Sequence, residues 1–269
     1  MTAVSDTPKT RSPLRVFLTG ASSGIGAALA RHYAREGAII GLVARRAEVL
    51  ATLADELKTL GGDAAVYVLD VTDAAALDAA ARDFVARFGA PDIVIANAGV
   101  SAGTLTEHAE DMAVFRRVVD TNVFGMVATF APFIAPMRAT ANVHERRLVG
   151  IASVAGIRGL PGAEAYSASK AAVISYLESL RLELAPAGLR VVTIAPGYID
   201  TPMTEINPYP MPFILPADEA ARRFAAAIRR GTSYTVIPWQ MGVVAKLLRF
   251  LPNWLYDRLF IGAPRKPRL

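Results

Sequence analysis

The amino-acid sequence predicts a doubly wound α/β fold, a parallel sheet with helices on both faces. Six short runs rich in Val, Ile and Leu alternate with Ala-rich segments whose apolar residues recur at helical spacing. The runs are continuously apolar, which is typical of strands buried on both faces. Strands that alternate with helices are usually parallel and joined by right-handed crossovers. These observations predict a Rossmann-type sheet in a single domain.

The predicted elements follow one another without a break in composition or an internal repeat. The predicted strands cover residues 15–19, 38–44, 64–70, 92–97, 147–153 and 190–196. The predicted helices cover residues 24–36, 46–60, 73–88, 109–138 and 164–185. We expect one domain over residues 14–238, preceded by a flexible leader, 1–13.

The composition changes after Pro196. Five prolines fall within residues 202–216, too many for a helix or a central strand. We therefore expect a substrate lid over residues 198–230, a loop followed by a helix, 217–230. Residues 235–238 are a candidate last strand.

Residues 239–269 form a basic extension that is apolar at helical spacing between residues 241 and 260. From Met241 onward, six basic residues stand against Asp257, whereas the other 240 residues carry 23 basic and 23 acidic residues. The basicity thus belongs to the end of the chain, and no nucleic-acid-binding motif accompanies it.

Composition also excludes several classes of site. The chain has no cysteine, which excludes disulfides, thiolate nucleophiles and cysteine-held metals. Its histidines, His32, His108 and His144, lie far apart, so we expect no protein-bound metal. The first fifteen residues lack the apolar centre of a secretion signal, and the apolar stretch 236–261 is interrupted by charges and prolines. We expect a soluble, cytoplasmic protein.

A glycine cluster follows the first predicted strand. Gly20, Gly24 and Gly26 allow a tight turn, a close approach of the backbone to a pyrophosphate, and close helix packing. The helix that follows offers free N–H groups to phosphates. Glycines alone are weak evidence, but their place between a first strand and a helix favours dinucleotide binding.

Tyr166 and Lys170 stand four residues apart on a predicted helix, which puts both side chains on one face. A free tyrosine has a pKa near 10, and a neighbouring ammonium favours its phenolate. The pair is therefore a candidate acid/base. The alternative is an ordinary surface pair.

With these motifs the sequence resembles the short-chain dehydrogenase/reductase family from about residue 14 to 203. The resemblance rests on TGASSGIG (19–26), Asp70-Val71, Asn97-Ala98-Gly99, Asn122, Ser153, the run from Tyr166 to Lys170, and Pro196-Gly197 followed by Thr201. It implies four catalytic residues. Tyr166 would transfer the proton, Lys170 would hold the nicotinamide ribose and lower the tyrosine pKa, Ser153 would bind the substrate oxygen, and Asn122 would relay protons through water.

Two of these roles have plain structural alternatives. Ser153 could be a turn cap, and Asn122 could be a buried amide that bonds the backbone.

The resemblance also implies a set of cofactor contacts that line the carboxyl edge of the sheet. They are Gly20, Ser22, Ser23, Gly24, Ile25, Gly26, Arg45, Arg46, Asp70, Val71, Asn97, Ala98, Gly99, Tyr166, Lys170, Pro196, Gly197, Ile199 and Thr201.

Arg45 and Arg46 lie at the end of the second predicted strand, where NAD-specific proteins keep an acid for the ribose 2′-hydroxyl. Arginine makes bidentate bonds to phosphate. We therefore expect NADP(H) in preference to NAD(H), with Ser22 and Arg45 as the foremost contacts to the 2′-phosphate. The alternative is that both arginines are solvated at a helix start.

The lid is apolar through Tyr198, Met203, Ile206, Tyr209, Met211, Phe213 and Ile214. This favours an apolar ketone or secondary alcohol as substrate, although packing against the domain would give the same composition. The extension, with Trp239 and Trp254, has three interpretations: closure of the pocket or packing on a subunit, a membrane-surface anchor, or a solvated tail. It is longer than the family's usual end, which leaves open whether a homodimer or a homotetramer forms.

The sequence thus predicts an NADP(H)-dependent oxidoreductase that transfers a hydride to or from a ketone or alcohol. Two alternatives stay open. One is a regulatory protein that senses NADP(H) without turnover, and the other is a lipid-carbonyl reductase at a membrane surface.

Overall fold

A computed structural model describes residues 12–140 and 144–268. It confirms the predicted doubly wound fold: seven parallel strands form one sheet in the order β3-β2-β1-β4-β5-β6-β9. The strands are β1 (Arg15–Thr19), β2 (Ile39–Ala44), β3 (Asp63–Val68), β4 (Ile93–Ala96), β5 (Arg147–Ile151), β6 (Arg190–Pro196) and β9 (Tyr234–Ile237), and β7 (Ile199–Asp200) pairs with β8 (Leu215–Pro216) apart from it. Residues 1–11 of the predicted leader lie outside the described residues.

The helices follow the predicted order. They are α1 (Gly24–Arg35), α2 (Ala47–Thr59), α3 (Ala74–Phe88), α4 (Asp111–Val119), α5 (Gly125–Ala139), α6 (Glu164–Leu184), α7 (Pro202–Glu205), α8 (Ala217–Arg230), α9 (Trp239–Phe250) and α10 (Asn253–Phe260). A π-helical turn, Asp120–Phe124, joins α4 to α5, and short 3₁₀ turns cover Val154–Gly156 and Ala185–Ala187.

Two apolar cores lie on opposite faces of the sheet, because successive side chains of a strand point to opposite sides. In β1, Val16 and Leu18 belong to the core that includes α1, α2 and α8, whereas Phe17 belongs to the core under α3, α5 and α6. The central strands are buried on both faces, as their continuous apolar runs predict.

The edge strand β3 departs from that expectation. Val66 and Val68 are exposed, Val68 by 53%. β3 has a neighbour, β2, on one side only, and the helices that cover the central strands leave part of one face open. A run of apolar residues therefore does not separate an edge strand from a central one.

Helix α8, which the sequence assigned to the lid, packs in the core of the domain instead. Phe224 and Ile228 are fully buried in the core that α1 helps to form. Only residues 198–216 remain a candidate lid. The apolar spacing of α8 reflects burial against α1.

The extension contains two helices rather than one continuous helix over 241–260. α9 ends before Leu251, and Pro252 precedes α10. A proline cannot donate the backbone hydrogen bond that a continuous helix needs. The last strand predicted at 235–238 is present as β9, which pairs in parallel with β6.

The helical run Asp111–Ala139 is long and apolar enough to cross a membrane by length and composition. It lies within the helical layer that covers the sheet, and Phe130 and Phe133 on it are fully buried in the domain. Its apolar character is therefore that of a core helix.

Candidate active site

A crevice of about 460 Å³ opens at the carboxyl edge of the sheet. The strand order reverses there between β1 and β4, the position at which open α/β sheets bind ligands. All of the predicted cofactor contacts except Gly26 line the crevice, and so does Ser153. Three further lining residues, Pro202, Met203 and Thr204, belong to the predicted lid. The rest of the lining was not predicted: Ala44, Leu69, Val100, Thr121, Ile151 and Ala152.

The glycine loop connects β1 to α1 at one wall of this crevice. Gly20 and Gly24 have φ values of +69° and +52°, which favour glycine. A Cβ added at Gly26 would lie 2.1 Å from the Gly20 carbonyl oxygen. Ser23, the N-cap of α1, makes no side-chain cap bond, so the helix start keeps N–H groups for another acceptor. These features fit a pyrophosphate.

Ser153, Tyr166 and Lys170 converge on the crevice from two elements. Ser153 follows β5, and its hydroxyl accepts a hydrogen bond from the Ala155 backbone at 3.1 Å. Tyr166 and Lys170 lie on one face of α6, with the lysine Nζ 5.7 Å from the centre of the tyrosine ring. The phenol, ammonium and hydroxyl are thus within one small region of the site.

Burial shifts the pKa values of Tyr166 and Lys170 in opposite directions. Desolvation raises the pKa of Tyr166, and a hydrogen bond with Ser153 opposes that shift. Desolvation lowers the pKa of Lys170 to about 8. The Lys170 ammonium donates to the Ile151 carbonyl at 2.8 Å, which leaves two of its three donors for other partners.

Asn122 lies in the π-helical turn and is buried. Its Oδ1 accepts from the Val100 backbone at 2.8 Å, and its Nδ2 donates to the Val100 carbonyl and to Ser169 Oγ, each at 3.0 Å. The side chain therefore ties α4 and α5 to the loop after β4 and to α6. It does not line the crevice itself.

The two arginines after β2 have different partners. Arg46 donates from Nη2 to Ser22 Oγ at 2.9 Å, whereas Arg45 pairs with Asp70 at 3.4 Å. Burial alone would raise the pKa of Asp70, but hydrogen bonds from Thr72 and the charge of Arg45 lower it overall. Ser22 and Arg45 were predicted as the foremost contacts to a 2′-phosphate. Both arginines line the crevice, and it is Arg46 that bonds to Ser22.

The lid contains a pair of aromatic side chains, Tyr198 and Tyr209, that do not line the crevice. The rings of Tyr198 and Tyr209 are 6.5 Å apart. Burial raises the pKa of Tyr209, and negative charge on Tyr198 or Tyr166 raises it further. Met203 lines the crevice, whereas Ile206 and Phe213 are half exposed. Among residues 12–140 and 144–268, no group of three His, Asp or Glu side chains could hold a metal ion.

Comparisons of sequence and of structure find similar proteins that are oxidoreductases. The family profile described as short chain dehydrogenase matches residues 15–208. An uncharacterized oxidoreductase of Myxococcus xanthus is 39% identical over 241 residues, which are 90% of this chain and 94% of that protein. The 11-beta-hydroxysteroid dehydrogenase A of Sesamum indicum is 30% identical over 94% of this chain and 77% of its own length. An alcohol dehydrogenase from Thermococcus sibiricus, complexed with 5-hydroxy-NADP, superimposes with a TM-score of 0.73 at 26% identity, over 84% of this chain and 96% of that one.

Proposed function

This chain belongs to the short-chain dehydrogenase/reductase family, NAD(P)-dependent oxidoreductases, and on that premise we propose that it interconverts an apolar ketone and its secondary alcohol with NADP(H). The observation that carries the proposal is the convergence of Ser153, Tyr166 and Lys170 in a crevice that begins at the glycine loop. A phenol with an ammonium beside it suits proton exchange with a carbonyl oxygen.

The chemistry divides between cofactor and protein. A bound nicotinamide supplies or accepts the hydride. Ser153 donates a hydrogen bond to the substrate oxygen as negative charge develops there, and Tyr166 exchanges a proton with that oxygen. Lys170 favours the phenolate and holds the nicotinamide ribose.

Asn122 takes part in proton exchange as a positioning residue. A point beside Gly99, where a Cβ would stand, is 3.1 Å from Asn122 Oδ1 and 3.7 Å from Lys170 Nζ. The two groups thus lie on the same side of Gly99, and a water bound between them would relay protons from Lys170.

The preference for NADP(H) rests on Arg45 and Arg46 at the end of β2. No acid follows β2 directly, and Arg46 already lies on Ser22. A hydrogen bond to a charged group contributes roughly 1.5–3 kcal/mol, which corresponds to a preference of about 10- to 100-fold. We expect Arg46→Ala to lower the ratio of kcat/KM with NADPH to kcat/KM with NADH by that factor. Arg35→Ala, a substitution outside the crevice, serves as the control.

The decisive experiment measures NADPH oxidation with a panel of ketones. We expect turnover in the wild type and a loss of about 10²- to 10⁴-fold in kcat for Tyr166→Phe, with NADPH binding retained. Tight NADPH binding without turnover of any ketone would support the sensor alternative instead.

One observation favours the membrane-surface alternative. α9 and α10 expose Trp239, Leu247, Phe250 and Trp254 beside basic residues. If this face binds anionic lipid, co-sedimentation with liposomes containing anionic lipid falls with salt and is lost on deletion from Met241 onward. Our first proposal remains a cytoplasmic homo-oligomer that uses the face as a subunit contact.

A further inference from the structure

The end of the chain returns to the catalytic region as a C-terminal strap, residues 263–268. The Gly103 backbone N–H donates to the Pro267 carbonyl at 3.0 Å, and Gly103 forms a parallel bridge with Arg268. Arg268 pairs with Asp111 at 2.9 Å and with Glu110 at 2.7 Å. These contacts attach the strap to the loop after β4 and to the start of α4.

Two glycines make room for the strap. A Cβ at Gly103 would lie 2.3 Å from the Lys266 carbonyl oxygen, and one at Gly162 would lie 2.8 Å from the Arg265 Cβ. The strap therefore lies between the loop after β4 and the loop before α6, which flank Tyr166.

Lys266 reaches from this strap to the catalytic tyrosine. Its Nζ lies 5.9 Å from the centre of the Tyr166 ring and donates to Ser101 Oγ at 2.8 Å. Within residues 12–140 and 144–268, no carboxylate is within ion-pair distance of Lys266. Partial burial without a counter-ion lowers the pKa of this ammonium.

A partly buried cation with one neutral partner is an unfavourable arrangement in the free protein. The need to attach the strap does not explain this partly buried ammonium, because the Arg268 ion pairs and the backbone hydrogen bond from Gly103 already attach the strap. The cofactor phosphates do not explain it either, because the glycine loop and the start of α1 that fit them follow β1, whereas Lys266 bonds to Ser101 in the loop after β4. The ammonium instead lies beside Tyr166, where the reacting carbon of a substrate must sit.

We propose that Lys266 is a specificity-determining residue that binds a carboxylate on the substrate, so that the preferred substrates are keto acids and the corresponding hydroxy acids. This inference rests on the proposed function and names the class of substrate for the same site. Ser101 holds the ammonium in position, and the two remaining N–H donors of Lys266 bind the carboxylate oxygens. Met203, an apolar lid side chain that lines the crevice, contacts the rest of the substrate.

The test compares α-keto, γ-keto and δ-keto acids with their methyl esters, using NADPH. We expect the wild type to prefer at least one acid over its ester. Lys266→Met should lower the ratio of kcat/KM for that acid to kcat/KM for its ester by roughly 10- to 100-fold, and Lys266→Arg should restore part of it. Arg265→Met, which removes an exposed charge from the same strap, should leave the ratio unchanged. A wild type without preference for any acid, or a Lys266→Met enzyme that loses acid and ester equally, would overturn the inference.

A binding measurement separates this inference from the proposed function. Calorimetry of the NADP⁺-loaded protein would use the saturated carboxylic acid that lacks the keto group. Weaker binding to Lys266→Met than to wild type and Arg265→Met supports the anion site even where no ketone is reduced. Equal binding to all three proteins contradicts it.

Discussion

Lys170 is a cation whose burial opposes folding. Its side chain is almost fully enclosed, and burial lowers its pKa from 10.5 to about 8. The free protein thus retains an ammonium that would be better solvated in the unfolded chain. A buried ammonium of this kind lowers stability, which is typical of a group retained for function.

The sign of the pKa shift yields a prediction for Lys170→Met without cofactor. Between pH 8 and pH 10.5 the unfolded wild type binds more protons than the folded protein, so its unfolding free energy rises with pH over that window. The methionine variant lacks the cost of burying this ammonium, which lowers the unfolding free energy of the wild type by on the order of 3 kcal/mol at neutral pH. We expect the variant to melt several degrees above wild type at pH 7 and to lose that advantage by pH 10.

Thermal unfolding followed by circular dichroism at the two pH values tests this prediction. Lys246→Met, at an exposed position on α9, is the control and should show no such convergence. A melting difference for Lys170→Met that is the same at both pH values would contradict the prediction.

At the scale of elements, the distance between α1 and the glycine loop depends on the absence of a side chain at Gly26. The nearest atoms to an added Cβ are the Gly20 carbonyl group and the Asn97 amide nitrogen. The amide itself donates to the Thr19 and Gly20 carbonyls at 3.1 and 3.2 Å, so it cannot move freely.

We therefore expect Gly26→Ala to destabilise the protein by about 1–3 kcal/mol through overpacking, and to weaken NADPH binding by displacing the start of α1. Urea unfolding and quenching of protein fluorescence by NADPH measure the two effects. Gly262→Ala, where an added Cβ meets nothing within 4 Å, is the matched control. Unchanged stability and affinity in Gly26→Ala would show that the loop can relax.

The attachment of α9 and α10 depends on Arg158, in the loop before α6. Its Nη1 donates to the Leu251 carbonyl at 2.7 Å, its Nη2 donates to Asn253 Oδ1 at 3.1 Å, and its guanidinium stacks 3.8 Å over the Tyr256 ring. It thereby joins the end of α9 to α10.

Hydrogen exchange should detect the loss of this attachment. In Arg158→Met we expect backbone amides of α9 and α10 to exchange about 10- to 100-fold faster, while β4 and β5 keep their protection. Arg258→Met removes an exposed arginine from α10 and should leave exchange unchanged. If both variants exchange at the wild-type rate, packing alone holds the extension.

For the whole molecule, the extension leaves a large apolar face uncovered. Phe250 and Trp254 are 84% and 69% exposed. Exposed apolar side chains of this size, close together in sequence, are typical of a surface that contacts another molecule. A second copy of the chain would bury it without any other partner.

We expect the double variant Phe250→Ser/Trp254→Ser to sediment as a monomer where wild type forms a dimer or tetramer in analytical ultracentrifugation. Val49→Ser, which removes a partly exposed apolar side chain from α2, is the control. A wild type that is already monomeric, or an oligomer that survives the double substitution, would contradict the subunit contact.

Several features were predictable because their signals are local in sequence. Continuous apolar runs identify the strands, since a strand covered on both faces has no polar side. The glycine spacing from Gly20 to Gly26 and the four-residue interval between Tyr166 and Lys170 are each contained in fewer than ten consecutive residues. The fold and the crevice that these residues line follow from such patterns.

Other features depend on contacts between distant parts of the chain. Lys266 and Ser101 are 165 positions apart and meet only because the strap packs on Gly103. The same holds for the hydrogen bond of Arg46 with Ser22, which depends on how β2 and the glycine loop pack together. It also holds for the burial of α8 in the core. By itself the sequence determined most of the elements, their order and the spacing that puts Tyr166 and Lys170 on one face of a helix, since each is encoded by neighbours along the chain. Only the tertiary structure decided which distant side chains surround that pair, because packing selects those contacts.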